Sequence, residues 1–562
     1  MERRTFIGGV GAAAAGLALG ACGDDGSPTV PQARDDVVTG TTLGPGGNPL
    51  DTFDHVVVVM FENRSFDNLL GGLYGAPGSP DPRFDGVFTT GSPGYVSNPS
   101  PFGSGLVYAS ATNQGVAPSV DPGECYADIN AQLWGAFNPP SNVNLAACPP
   151  GAGNMTAPWN VPAAGGPTDM SGFALDYRSA WNTNAKADPS PEDVAEIMQY
   201  FSAETLPVTN ALAKGFGVFD HWFCDVPSDT FVNRSFFHAA ASTGFVTEPP
   251  FSQWPLANTA ETILNRMADA DVSWNVFFDP WQVVPLTLLI NFRSLWPHLD
   301  RFKHIDTFFD QAASGELPQY TFIEPRMLTI DPTGHPESDM HPTFFKELGQ
   351  YVISDVRDGD AFLHQVYDAI RTSPARDRTL LLMVFDEHGG MADHVSPPSA
   401  TPPGDGAPGE YGFTFDRLGV RIPAIAISSY VPEGAIVSDQ MQNTSVIRTL
   451  NEKWGLAGLT ARDASAPRFD GIIDPSAMRD WPTTTPPDLS SIERTGDGSS
   501  QVNGLARAIM ASAQAAAAAL PRLQAGEDVS SVGDQDAAVP AQLTVGQVQA
   551  ALEAANETLQ VG

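Results

Sequence analysis

The chain has 562 residues, 42% of them apolar, enough for a sizeable core and too many for disorder throughout. Its 29 Lys and Arg against 65 Asp and Glu leave a formal charge of −36, which excludes nucleic-acid binding through a basic excess and electrostatic docking on anionic lipid. Four cysteines are too few for a disulfide-built scaffold, an iron–sulfur protein or a multi-zinc protein, and 53 Gly with 49 Pro predict many loops.

Residues 1–21 read as an export signal: a basic start, a short Gly/Ala/Leu run and small residues, too short to span a membrane stably. Arg3-Arg4 before Thr-Phe-Ile resembles a twin-arginine signal, and Leu19-Gly20-Ala21-Cys22 resembles a lipobox with Cys22 as the lipidated residue. An ordinary signal peptide with a chance cysteine is the alternative. The expectation is an exported protein, periplasmic or at the cell surface, anchored through Cys22 or secreted. Residues 22–50 lack apolar periodicity and read as a flexible tether.

The catalytic domain is expected over 51–480. His55–Phe61 is a continuous β-branched run, as for a strand buried on both faces. Residues 76–170 are crowded with Gly, Pro, Ser and Asn and read as a loop-rich insertion rather than a second core. Within it Cys125 and Cys148 either pair or remain free thiols, while Cys224 reads as a small apolar packing residue. Further strand-like runs are Gly217–Phe219, Ser273–Phe278, Gln319–Ile323, Thr379–Phe385 and Ile422–Ile427. Helical patterns fall between them over Pro191–Met198, Asn258–Ala270 and Asn443–Trp454, and Asp360 is predicted to cap a helix with Phe362, Leu363, Val366, Tyr367 and Ile370 on one face. Strands alternating with helices predict a three-layer α/β/α sandwich around a mostly parallel sheet. Residues 481–562 read as a linker and an Ala-rich helical tail of two helices, Gly504–Leu523 and Thr544–Leu559, appended to that domain.

In open α/β sheets ligands bind beyond the carboxyl ends of the strands. Two strand ends here deliver acids: Glu62-Asn63 after the first, and Asp386-Glu387-His388 followed by Asp393-His394 after the Thr379–Phe385 run. These hard oxygen donors suit a divalent cation, and helix capping or solvated loop charge is the competing reading. Asp225–Arg234 supplies hydroxyls able to attack phosphorus and a guanidinium able to neutralise phosphate oxygens, although Ser and Thr more often cap helices.

The segments Glu62–Gly72, Asp225–Arg234, Phe322–Pro325, His341-Pro342, Asp386–Pro398 and Gly419–Pro423 resemble, in order, the signature of the bacterial phosphoesterases that include non-specific phospholipases C and related acid phosphatases. The resemblance runs from about residue 53 to 455 and implies an alkaline phosphatase-like superfold. It implies one divalent metal ion (Ca²⁺, Mg²⁺ or Mn²⁺) on Glu62, Asn63, Asp386, Glu387 and the nucleophile, Thr230, with Ser228 and Ser235 as alternatives. It implies catalytic roles for His341 and His394 in phosphate binding or proton donation. Asn233, Arg234 and His388 are implied on the substrate side, with loop positioning the alternative for Asn233 and Arg234. Arg64 and Asp67 are expected to hold the loop. Related chains commonly carry a histidine after Asp-Pro-Gly, where this chain has Glu124 after Asp121-Pro122-Gly123. The activity implied is hydrolysis of phospholipid-type phosphodiesters through a phosphothreonine. An acid phosphatase acting on monoesters, or a non-catalytic surface lipoprotein on the same scaffold, are the other readings.

Overall fold

The computed structural model describes residues 47–88, 95–135, 168–184, 187–248, 250–327, 338–342, 344–347, 350–492, 504–529 and 545–562. The leader, most of the tether, Cys22 and Cys148 lie outside the described residues.

Eight strands build the central sheet: β1 (His55–Phe61), β2 (Gly217–Phe219), β3 (Trp274–Phe278), β4 (Phe302–His304), β5 (Tyr320–Glu324), β6 (Thr379–Phe385), β7 (Ala424–Ile427) and β8 (Ala435–Val437). Their order is β8-β2-β7-β6-β1-β5-β3-β4. Every pairing is parallel except the two that β7 makes, with β6 and with β2. All residues of β6, and all of β1 but His55, are buried, so both faces of the sheet are covered. This explains the unbroken apolar runs: neither face alternates with solvent. The short edge strands β4 and β8 carry no such run and were not expected from the sequence.

Side-chain register identifies the two covering layers. Val58 pairs with Phe322, so the two point to one face, and Phe61, three residues beyond Val58, points to the other. Phe61 meets Phe362 edge-on at 6.5 Å, which places helix Val356–Arg371 on its face. Phe322 meets His238 at 4.6 Å, which places helix Thr230–Ala239 on the opposite face. The chain is thus the expected three-layer sandwich.

The helices needed below are α1 (Phe66–Leu70), α2 (Tyr126–Trp134), α3 (Phe173–Asn184), α4 (Pro207–Gly215), α5 (Thr230–Ala239), α6 (Val356–Arg371), α7 (Thr444–Trp454), α8 (Gly504–Gln524) and α9 (Val545–Leu559). The predicted apolar face of α6 is buried, but the helix starts earlier, with Asp355 as its cap. Asp360 lies inside α6 and caps α4 instead. Its carboxylate accepts from Val208 N at 3.0 Å, Thr209 N at 2.8 Å and Thr209 Oγ1 at 2.6 Å. In the C-terminal helix α8, Ala508, Ile509 and Ala513 join the main apolar core, and Ser512 Oγ donates to Phe251 O at 2.8 Å. The backbone N–H of Gly562 reaches the carbonyl of Phe302 in β4.

The insertion's α2 packs on α3, which follows it, and Ile129, Leu133, Phe173 and Tyr177 form a small separate cluster with Met391 and Val420 of the main body. Cys125, the residue before α2, is disulfide-bonded. Cys224 is a free, buried thiol.

Asp360 satisfies three donors at a buried helix start, and hydrogen bonds to a charged group contribute about 1.5–3 kcal/mol each. Replacing Asp360 with Ala is expected to lower the unfolding free energy by roughly 3 kcal/mol in urea titration, with the site residues undisturbed.

Candidate active site

Phe61 and Phe385 are register partners at the ends of β1 and β6, so the chain turns out of the sheet at Glu62 and Asp386 side by side. Two backbone features make the turns possible. Asn63 adopts a left-handed conformation, φ 63°, and its N–H donates to Asp386 Oδ1 at 3.3 Å. Gly389, at φ +62°, passes so close that a Cβ there would lie 2.3 Å from the carbonyl oxygen of Asn63. Ser65 then caps α1, and Glu387 Oε2 accepts from Gly389 N at 2.8 Å.

Thr230 opens α5 across from these turns. It is 3% exposed, and its hydroxyl donates to Asn63 Oδ1 at 3.3 Å. One helical turn on, Arg234 contacts Asp386 Oδ2 through Nε at 3.0 Å and Glu62 Oε1 through Nη2 at 3.2 Å. All of Glu62, Asn63, Thr230, Arg234, Asp386 and Glu387 are buried. Burial pushes the carboxyls of Glu62, Asp386 and Glu387 upward; the Arg234 charge opposes this for Glu62 and Asp386.

This donor set fits a divalent cation. Ionised, Glu62, Asp386 and Glu387 would exceed the Arg234 charge by two, the excess one divalent cation balances. Glu62 Oε2 and Glu387 Oε1 are sealed from solvent and accept no hydrogen bond from the described residues. A buried carboxylate oxygen without a donor is costly unless a cation faces it. The trio is wider than the two acid–histidine groups whose donor atoms fall within 4.8 Å of one another, Asp67–Asp393–His394 and Asp121–Glu124–His341.

The sequence profile of the Phosphoesterase family matches residues 53–457, which contain every one of these side chains. The chain belongs to the Phosphoesterase family. It is a hydrolase of phosphoric esters. Non-specific phospholipase C6 of Arabidopsis thaliana is 31% identical over 448 residues, covering 77% of this chain and 74% of that protein. Phospholipase C B of Mycobacterium tuberculosis is 27% identical over 462 residues, covering 75% and 78%. A solved protein of the alkaline phosphatase superfamily from Vibrio parahaemolyticus aligns at 11% identity with a TM-score of 0.28, over 56% of this chain and 81% of that one, too loosely to carry an argument.

The other residues singled out in the phosphoesterase's sequence take different places. Asn233 binds the loop before Thr230: its amide donates to the carbonyls of Val226 and Ser228 and accepts from Val226 N, which leaves it as a brace for the nucleophile loop. Arg234 faces the acids. Ser228 and Ser235, the alternative nucleophiles, donate to the carbonyls of Val246 and Ala241. His388 is buried against Gln132 of α2, with Nε2 2.8 Å from Gln132 Oε1, and its Nδ1 lies 3.2 Å from Glu387 Oε2. His341 stands beside Glu124, Nε2 to Oε1 3.8 Å, and burial lowers its pKa to about 3.

His394 belongs to a separate ion network. Nδ1 lies 2.7 Å from Asp67 Oδ2 and Nε2 3.0 Å from Asp85 Oδ1, while Arg421 bridges Asp67 and Asp393. None of its hydrogen bonds among the described residues reaches Thr230 or the Glu62–Asp386 group. Arg64 does hold the loop, donating to the carbonyls of Met340 and Ala117.

Two acids, the buried Asp339 and the half-buried Glu248, escaped the sequence reading. Asp339 accepts from the N–H groups of Glu62 and His341, and its only signal was its place two residues before His341. Glu248 accepts from Phe231 N at 3.1 Å, at the start of α5, and nothing in its Thr-Glu-Pro-Pro context marked it.

Burial alone would lower the His394 pKa, but the Asp67 charge and the bonds from Asp67 and Asp85 outweigh it and push it up to about 10. A raised histidine contributes stability that is fully present below its ordinary value near 6.5 and is lost as pH rises through about 10. Chemical denaturation at pH 7 and pH 10 is therefore expected to show a larger loss of stability in wild type than in His394→Asn. Parallel losses would contradict the ion-network role.

Proposed function

We propose that this phosphoesterase cleaves phosphodiesters of the phospholipid type, releasing diacylglycerol and a phosphorylated headgroup, through a covalent intermediate on Thr230. The observation that carries the reading is the buried Thr230 hydroxyl at the start of α5, bonded to Asn63 beside a carboxylate group fit for one divalent cation. The phospholipase C names of the relatives support the substrate class.

Glu62, Asn63, Asp386 and Glu387, with Thr230, would hold the cation. Bound there, a divalent cation supplies a lowered hydroxyl pKa and a polarised phosphoryl oxygen. Thr230 Oγ1 attacks phosphorus and gives up its hydroxyl proton, the bond to the diacylglycerol oxygen breaks, and that oxygen takes up one proton in exchange. Water then cleaves the phosphothreonine ester, restoring the hydroxyl and releasing the phosphorylated headgroup. The positive end of α5 faces charge developing on an ester attached at its first residue. Asn233 keeps the loop under Thr230 fixed, and Arg234 keeps Glu62 and Asp386 aimed. In such a reaction positioning and charge stabilisation carry the rate. The leader and Cys22 support the further proposal of an exported, lipid-anchored enzyme.

Thr230→Ala is expected to lower kcat at least about a thousandfold while the circular dichroism spectrum stays that of wild type. Chelation is expected to abolish turnover, with return on adding Ca²⁺, Mg²⁺ or Mn²⁺. p-Nitrophenylphosphorylcholine should be hydrolysed in preference to p-nitrophenyl phosphate; the reverse preference would make the enzyme a phosphomonoesterase. Substantial turnover by Thr230→Ala would place the nucleophile elsewhere.

A further inference from the structure

We propose that Asp121, Glu124 and His341 form a second divalent-cation site beside the first, an inference that rests on the metal-dependent reading above. One donor atom from each of the three lies within 4.8 Å of the others. Two ligands each about 2.1 Å from one ion are at most about 4.2 Å apart, so the group needs to tighten by only a few tenths of an ångström. The His341 Nε2 to Glu124 Oε1 separation of 3.8 Å is too long for a hydrogen bond and right for two ligands of one ion. Glu124 Oε1 is sealed from solvent and accepts no hydrogen bond from the described residues. His341 is held from behind, its backbone N–H on Asp339 at 2.8 Å.

The place of this group gives the reason for a cation. The Glu124 side chain lies close to that of Asn63, whose Oδ1 accepts from the Thr230 hydroxyl. A phosphoric ester brought to Thr230 therefore approaches two carboxylates, Asp121 and Glu124, that repel it. A cation on them would convert a repulsive wall into an attractive one, the role a second ion plays in enzymes that clamp a phosphoryl group between two ions. The described hydrogen bonds of Arg64, the nearby guanidinium, go to Met340, Ala117 and Asn68. Two carboxylates with an imidazole select Mn²⁺ or Zn²⁺ over Ca²⁺ or Mg²⁺, which favour oxygen alone. The other compact group, Asp67–Asp393–His394, is different: Arg421 already lies against both of its carboxylates, and the described bonds of its histidine ring run to Asp67, Asp85 and Arg421.

The test is the number of Mn²⁺ ions bound by the chelator-stripped full chain, counted by calorimetry and by the electron paramagnetic resonance of free Mn²⁺. Wild type is expected to take two equivalents. Glu124→Gln and, independently, His341→Asn should each take one, and Asp386→Asn should lose the other one while keeping that of Glu124. Thermal melting of each variant checks folding, and either Glu124→Gln or His341→Asn alone suffices if the other fails to fold. One equivalent in wild type, lost in Asp386→Asn and kept in Glu124→Gln, overturns the second site and leaves the first. No bound Mn²⁺ overturns both. Extra binding that is the same in wild type and in both variants is adventitious and overturns the second site.

Discussion

Three carboxylates buried at the ends of two neighbouring parallel strands, against one buried guanidinium, set the terms for the rest of the site. Glu62 and Asp386 come side by side because Phe61 and Phe385 are partners in register. Burying such charge without compensation costs several kcal/mol per ion, so the surroundings are arranged to offset it. Backbone N–H groups of Asn63, Glu387 and Gly389 point at the acids, and Arg234 reaches them from the opposite helix. The charge that remains suits a divalent cation. That same need fixes Thr230, because the helix that carries Arg234 begins at Thr230, one turn away.

The loop-rich insertion is tied to this constraint. Gln132 on α2 holds His388, the residue after the second acidic pair, while its own amide donates to Gly123 O and to Asp176 on α3. Glu124, just before α2, reaches Asn63. A loop-rich segment with only short strands and a nine-residue helix thus closes one side of the site, and its apolar cluster with Met391 and Val420 anchors it there.

Much of this was legible in the sequence, for physical reasons. The five longer strand runs stand out because strands buried on both faces need continuous apolar sequence, and acids at two such strand ends point to a cation. The edge strands β4 and β8 were not legible: each is short and only partly buried, and β4 ends in Lys303 and His304. Asp360 could not be assigned from local sequence because its partners, Val208 and Thr209, lie about 150 residues away. The same holds for Asp339, which accepts from the distant Glu62 N, while Glu248 acts on Phe231 N at the start of α5. His394 sits in a motif next to acids, but only the fold shows that Asp67, Asp85 and Arg421 surround it. The acidic balance of the whole chain says little about the site, where a handful of carboxylates decide the chemistry.

The account's central claim is the covalent role of Thr230. Its most direct test is to quench turnover of p-nitrophenylphosphorylcholine with acid during the first burst of nitrophenol and to map the adduct by peptide mass spectrometry. The account predicts phosphorylcholine on Thr230. An adduct on Ser228 or Ser235, or a burst with no adduct on the protein, would contradict it.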